Sequence, residues 1–149
     1  MDEKSLKDIV RSVVLEILEK ENVSMSRDVE PKSGVMSVKG STIKTEPFPF
    51  DIGPAGRGVF LKDIVSLEES PRIGIGFMEM RESTFPWTLR YDEADYIIEG
   101  TLDIIVNGRT IRGNAGDVLF SPKDSSIEFS APHYAKFMYV TYPADWSNQ

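Results

Sequence analysis

Apolar residues recur near the start of the chain at Leu6, Ile9, Val10, Val13, Val14, Ile17 and Leu18. These offsets draw one stripe along a spiral of 3.6 residues per turn, which predicts a single amphipathic helix over residues 5–20. Ser5 with Asp8 three residues on is a capping-box-like start, with Asp in place of the usual Glu. Residues 22–34 are polar and broken by Pro31 and Gly34, the composition of a linker. The predicted organisation is a helix over 1–21, a linker over 22–34 and a folded domain over 35–149.

Within that domain the period falls to two. Ile73, Ile75 and Phe77 alternate with Gly74, Gly76 and Met78, and short runs rich in Ile, Val, Phe, Tyr and Thr follow over 93–99, 101–106, 109–112, 117–121, 125–130 and 135–142. Asn107-Gly108 between two such runs is a hairpin signal, since both residues tolerate positive φ. Many short strands and no long helix predict an all-β sandwich or barrel, a jelly roll among them. A strand from 35–39 or 57–62 is a candidate for edge exchange with a second copy.

Composition narrows the chemistry. The 149 residues include no cysteine and one histidine, His133. Disulfides, thiolate nucleophiles and Cys-ligated metals are excluded, any Ser-His-Asp arrangement must use His133, and no site with several imidazoles can be built. After Pro132, His133 is expected in a loop. A net charge of −7 opposes nucleic acid and anionic membrane as partners. No stretch approaches the ~20 apolar residues of a membrane span and no secretory signal opens the chain, so an intracellular, cytoplasmic location is expected.

Two stretches define the barrel type. In YDEADYIIEGTLDIIVNG, Glu93 is followed by six residues and Gly100; in GDVLFSP, Gly116 is followed by five residues and Pro122; fifteen residues separate the two glycines. This spacing, within residues 72–142, resembles the cupin signature, which implies a double-stranded β-helix jelly-roll barrel. On that pattern Trp87, Leu89 and Ile127 fill the places of the three metal-binding histidines and Asp124 that of a glycine; of the four ligands only Glu93 remains. An iron, manganese, nickel or zinc site is therefore not expected.

WTLRYDEADYIIEG, GDVLFSPKDSSIEF and KFMYVTYPADW resemble, more specifically, the ethanolamine-utilisation Q family, cupins with a degenerate metal site. The resemblance implies a homodimer associated with a bacterial microcompartment, and an acetate kinase activity using Mg²⁺ and ATP. The family's N-terminal region is variable, and the one here is short. The tethered helix resembles the encapsulation peptides that dock enzymes to microcompartment shells, so shell or other ethanolamine-utilisation proteins are expected partners, against self-docking of the helix on its own domain. The alternative to an enzyme is a non-catalytic small-ligand-binding or assembly module.

Alternation places Glu93, Asp95, Ile97 and Glu99 on one face of a strand, and in the cupin pattern that Glu points inward. Two enclosed carboxyls resist joint ionisation, which suits proton transfer or Mg²⁺ binding through Glu93; the alternative is a rim carboxylate paired with Arg90 or Arg72. The candidate catalytic set is Glu93, Asp95, Tyr91 and Tyr96, and the candidate substrate and phosphate set is Arg90, Arg72, Trp87 and Tyr139. No G-x4-GK[ST] run is present. The glycine-rich GPAGRG, residues 53–58 with Arg57, reads as a turn or as a source of N–H groups for phosphate.

Overall fold

The computed structural model describes residues 3–22 and 25–149, without the side chains of 17–22 and 55. The chain forms two compact units, Met1–Lys44 and Thr45–Gln149. In the first, helix α1 runs Glu3–Asn22, starting two residues ahead of Ser5, with Lys7 bonded to Glu3 one turn back at 2.7 Å. Leu6, Ile9, Val10, Val13 and Val14 lie in a stripe, each about half exposed; the side chains of Ile17 and Leu18, which the stripe predicts next, lie outside the described residues. The expected linker contains strand β1, Arg27–Val29, paired antiparallel with β2, Met36–Val38. Glu30 fastens the intervening turn by accepting from the N–H groups of Lys32 and Ser33. A polar segment with Pro and Gly thus closes a short hairpin, because those residues also make turns.

The second unit is one antiparallel sheet wrapped around a core. Its strands are β3 (Glu46–Pro47), β4 (Val59–Asp63), β5 (Gly74–Thr88), β6 (Asp92–Val106), β7 (Arg109–Asn114), β8 (Val118–Ser121) and β9 (Ser126–Tyr142). The order is β3-β4-β5-β9-β6-β7, with β8 paired to the first part of β6. Asn107 and Gly108, at φ 49° and 73°, make the expected hairpin between β6 and β7.

Several runs that look separate in the sequence are single long strands interrupted by bulges. Register shifts fall between Arg81 and Ser83 in β5, and between Ile97 and Glu99 and between Gly100 and Asp103 in β6. Each inserted residue bends its strand, so one sheet can curl around one core. The β6 shift also ends the inward alternation: Glu93, Asp95 and Ile97 are buried, whereas Glu99, expected on the same face, is exposed. Gly100 has φ 72°, and a Cβ there would strike the carbonyl oxygen of Tyr134. His133 lies in β9 rather than in a loop, exposed beside the β5 bulge.

The core is apolar and aromatic. Met80, Phe85, Leu89, Ile97, Leu102 and Phe137 are almost wholly buried, and Phe129 stacks on both Phe85 and Phe137. Leu89 and Ile127 belong to this core, while Trp87, paired with Ile127 across strands, turns to its edge.

Candidate functional site

One end of the barrel is an aromatic pocket with acid at its base. Phe85 and Trp87 come from β5, Glu93 from β6, Tyr139 and Thr141 from β9, and Tyr91 from the turn ahead of β6. Phe48 and Trp146, from segments flanking the sheet, complete the wall. Trp146 sits 6.3 Å from Trp87, 6.1 Å from Tyr91 and 6.4 Å from Tyr139 between ring centroids, so it caps the acid. The pocket is partly open to solvent and its cavity is about 20 Å³, room for roughly one water.

The site's polar atoms are ordered by donors at its edges. The indole N–H of Trp87 donates to the Tyr91 hydroxyl oxygen at 2.7 Å, leaving the Tyr91 proton for Glu93, its other hydrogen-bonding neighbour. Tyr139 donates to Asp63 Oδ1 at 2.5 Å. Burial raises the pKa of both phenols, reinforced by Glu93 at Tyr91 and by Asp63 at Tyr139. Tyr139 and Thr141 fit against β5 because glycines lie opposite them. Gly76 pairs with Tyr139 and Gly74 with Thr141, and a Cβ at either glycine would collide with the facing hydroxyl.

Three carboxyls are buried in this unit. Asp103 is matched by Arg112, whose guanidinium reaches both its oxygens at 2.8 and 2.9 Å. Glu93 and Asp95 have no cation among the described residues. Burial pushes Glu93 up to about 7, with opposing hydrogen bonds from Asp95 and Tyr91. Burial, and then the charge of Glu93, holds Asp95 well above the usual carboxylate range. Neither Asp95 oxygen finds a standing donor, because its neighbour is another carboxyl, which can donate only when protonated. The two therefore share protons as a pair. The Thr141 hydroxyl is likewise buried without a partner.

The structure brings together Glu93, Asp95, Tyr91, Trp87 and Tyr139 and leaves three candidates outside. Tyr96 follows Asp95, so pleating turns it outward, and it is 46% exposed. Arg90 lies in the turn between β5 and β6, where it reaches Asp124 at 3.2 Å on the surface; pairing of Glu93 with Arg90 or Arg72 does not occur. Arg72 is exposed and lines no part of the pocket. Arg57 belongs to a 3-10 turn, Pro54–Gly58, and is likewise absent from the lining. Sequence reasoning missed Asp63, Thr141, Phe48 and Trp146. Glycines opposite polar residues signal the first two indirectly; Trp146 carried no periodic signal.

No three His, Asp or Glu side chains converge among the described residues. The hard-oxygen pair Glu93–Asp95, with both Asp95 oxygens lacking a donor, fits Mg²⁺, which takes one or two carboxylates and completes its shell with water and phosphate. A nucleotide does not fit the pocket, which has space for about one water and no cation in its lining.

A jelly-roll barrel of antiparallel strands around an aromatic pocket with one inward glutamate is of the cupin class. Consistent with this, an RmlC-like cupin from Shewanella frigidimarina superposes with TM-score 0.58 at 16% identity, over 85% of this chain and 99% of that one. The chain belongs to the ethanolamine utilisation protein EutQ family, whose model matches residues 1–148. It is 47% identical to the acetate kinase EutQ of Clostridioides difficile over 96% of this chain and 95% of that protein. The solved structure of the Clostridium difficile EutQ protein superposes with TM-score 0.79 at 50% identity, covering 86% and 93% of the two chains. The acetate kinase EutQ of Salmonella typhimurium is 41% identical over 80% of this chain, which spans 51% of that longer protein.

Proposed function

We propose that the chain is an acetate kinase of ethanolamine utilisation, transferring a phosphoryl group from ATP to acetate, with the aromatic-acid pocket receiving acetate. The observation that carries this reading is near-full-length identity of 47% to a protein named acetate kinase. The pocket supports it chemically. A methyl group would lie against Met78, Phe85 and Phe129, and the carboxylate would accept from the unpartnered Thr141 hydroxyl and from the proton shared by Glu93 and Asp95. Without that proton, two buried carboxylates would repel acetate. The aromatic wall has to yield to admit it, since the cavity holds about one water.

In the reaction, an acetate oxygen forms the new P–O bond as the bond to ADP breaks. Mg²⁺, if bound through Glu93 and Asp95, would take the place of their shared proton and supply charge neutralisation for the acetate and the phosphoryl group. The chain's own residues orient acetate, exclude water and store a proton beside it. The test is to incubate the protein with acetate, Mg²⁺ and ATP and follow acetyl phosphate by phosphorus NMR, alongside Glu93→Gln and Asp95→Asn. Product from the parent and at least tenfold less from both variants supports the reading. No product from the parent favours a binding or assembly module, and full activity in both variants removes this pocket from the reaction.

A second reading concerns α1, whose apolar stripe is exposed along its described length. Such a face suits helix-in-groove docking to microcompartment shell or other ethanolamine-utilisation proteins. Val10→Glu with Val13→Glu should abolish co-sedimentation with shell while leaving the barrel folded; unchanged co-sedimentation overturns it.

A further inference from the structure

Asp103 shows how this fold settles a buried carboxyl: it carries its own guanidinium, Arg112, directly opposite on β7. Glu93 and Asp95 lie on the same strand as Asp103 and are also buried, yet no lysine, arginine or histidine lines the pocket among the described residues. A buried carboxylate persists only when it is paired or protonated. The chain thus supplies a counter-charge toward one end of β6 and omits it at the other, where there is a pocket.

The walls suit a positive guest. The rings of Trp87, Tyr91 and Tyr139 all lie within 6.4 Å of Trp146 between centroids, so a cation seated beside them is within cation–π reach, about 6 Å, of more than one ring. The polar atoms turned to the cavity accept hydrogen bonds. Tyr139 donates to Asp63 and offers the pocket its oxygen; Glu93 offers its carboxyl; the Thr141 hydroxyl, 1% exposed, is buried without a partner. These three acceptors match the three N–H donors of a primary ammonium group. Such a head group is close to the size of a water molecule, which is the space that the cavity has.

We infer that the pocket binds a small primary ammonium ion, with the charged nitrogen held by Glu93, Tyr139 and Thr141 beside the rings of Trp87, Tyr91 and Trp146. Its substituent points to the open side of the pocket. This is a second ligand for the cavity proposed above to receive acetate, and the two exclude each other; the inference stands on the lining and not on the kinase reading. A quaternary ammonium lacks the N–H donors and exceeds the space, so the class is set by hydrogen bonds and size as well as by charge.

Saturation-transfer NMR of the full chain at pH 8, without Mg²⁺, nucleotide or acetate, tests this with methylammonium chloride as the probe. At constant ionic strength in sodium chloride the methyl signal should report saturable binding, and tetramethylammonium should report none. Glu93→Gln, which keeps the size and removes the charge, should weaken binding at least tenfold, and Trp146→Leu at least threefold, with circular dichroism as the folding control; if Trp146→Leu fails to fold, Thr141→Val replaces it. No saturable binding by the parent, equal binding of tetramethylammonium, or unchanged affinity in folded Glu93→Gln overturns the assignment. In the acetyl phosphate assay methylammonium should raise KM for acetate without lowering kcat. A parent that makes no acetyl phosphate defeats the kinase reading alone, and the binding result still decides this one.

Discussion

Tyr139 donates its phenol hydrogen bond to Asp63, an exposed residue at the end of β4, across 2.5 Å. The pocket therefore meets the oxygen of Tyr139 and not its proton, so Tyr139 acts there as an acceptor, while the Tyr91 proton is directed to Glu93. The two phenols share a wall and have opposite polarity.

Removing that anchor should cost stability. Asp63→Ala leaves a buried phenol without its partner, expected to lower stability by about 1–2 kcal/mol and Tm by about 3–6 °C. Thermal unfolding followed by circular dichroism checks this; an unchanged Tm would mean that water replaces Asp63 at no cost.

The acid pair predicts an inverted pH dependence. Glu93 titrates near 7 when folded, against 4.5 ordinarily. Below 4.5 both folded and unfolded chains hold the proton; between these values only the folded chain keeps it. Stability from this group therefore falls as pH rises from about 4.5 to 7 and is level above. Glu93→Gln, whose amide also offers Asp95 a donor, should remove this slope and be about 1–3 kcal/mol more stable than the parent at pH 8. Urea unfolding across pH measures it, and parallel slopes would contradict it.

Thr141→Val keeps shape and deletes only the unpartnered hydroxyl. Stability should stay within about 1 kcal/mol, since no protein hydrogen bond is lost. If acetate accepts from that hydroxyl, KM for acetate should rise about tenfold or more, with kcat little changed. An unaltered KM places acetate elsewhere.

Gly76→Ala tests the space reserved for Tyr139. The added methyl collides with the ring and hydroxyl and lies 2.7 Å from the Lys62 carbonyl oxygen. The expected loss is about 1–3 kcal/mol by chemical denaturation, together with acetate activity. A parent-like midpoint would mean that the sheet widens freely there.

Arg90→Ala and Arg72→Ala should each leave activity within about twofold and stability within about 0.5 kcal/mol, as expected of exposed residues. A tenfold activity loss in either would show that it reaches the reacting phosphate.

The barrel was readable because motif spacing and two-residue alternation both follow from the pleat, and Asn107-Gly108 can do little but turn. Strand continuity was less legible, because bulges at Arg81–Ser83 and near Gly100 look like strand ends in a linear pattern. That Glu93, Asp95, Tyr91, Trp87 and Tyr139 lie together follows from their positions on the pleat and their residue types. Arg72 and Arg90 were misplaced because charge and sequence proximity do not give direction; Tyr96 sits beside Asp95 in sequence and on the other side in space. Thr141 and Asp63 depend on long-range pairing of β9 with β5 and on the course of β4, which no local pattern encodes.

The chain contains two tryptophans, and both, Trp87 and Trp146, stand in the pocket wall. Every indole photon the molecule emits thus originates at the site. One is tied by its N–H to Tyr91 and the other packs against Tyr91 and Tyr139, so indole fluorescence, excited at wavelengths tyrosine does not absorb, is a built-in gauge of pocket occupancy, with no other indole in the barrel or in α1.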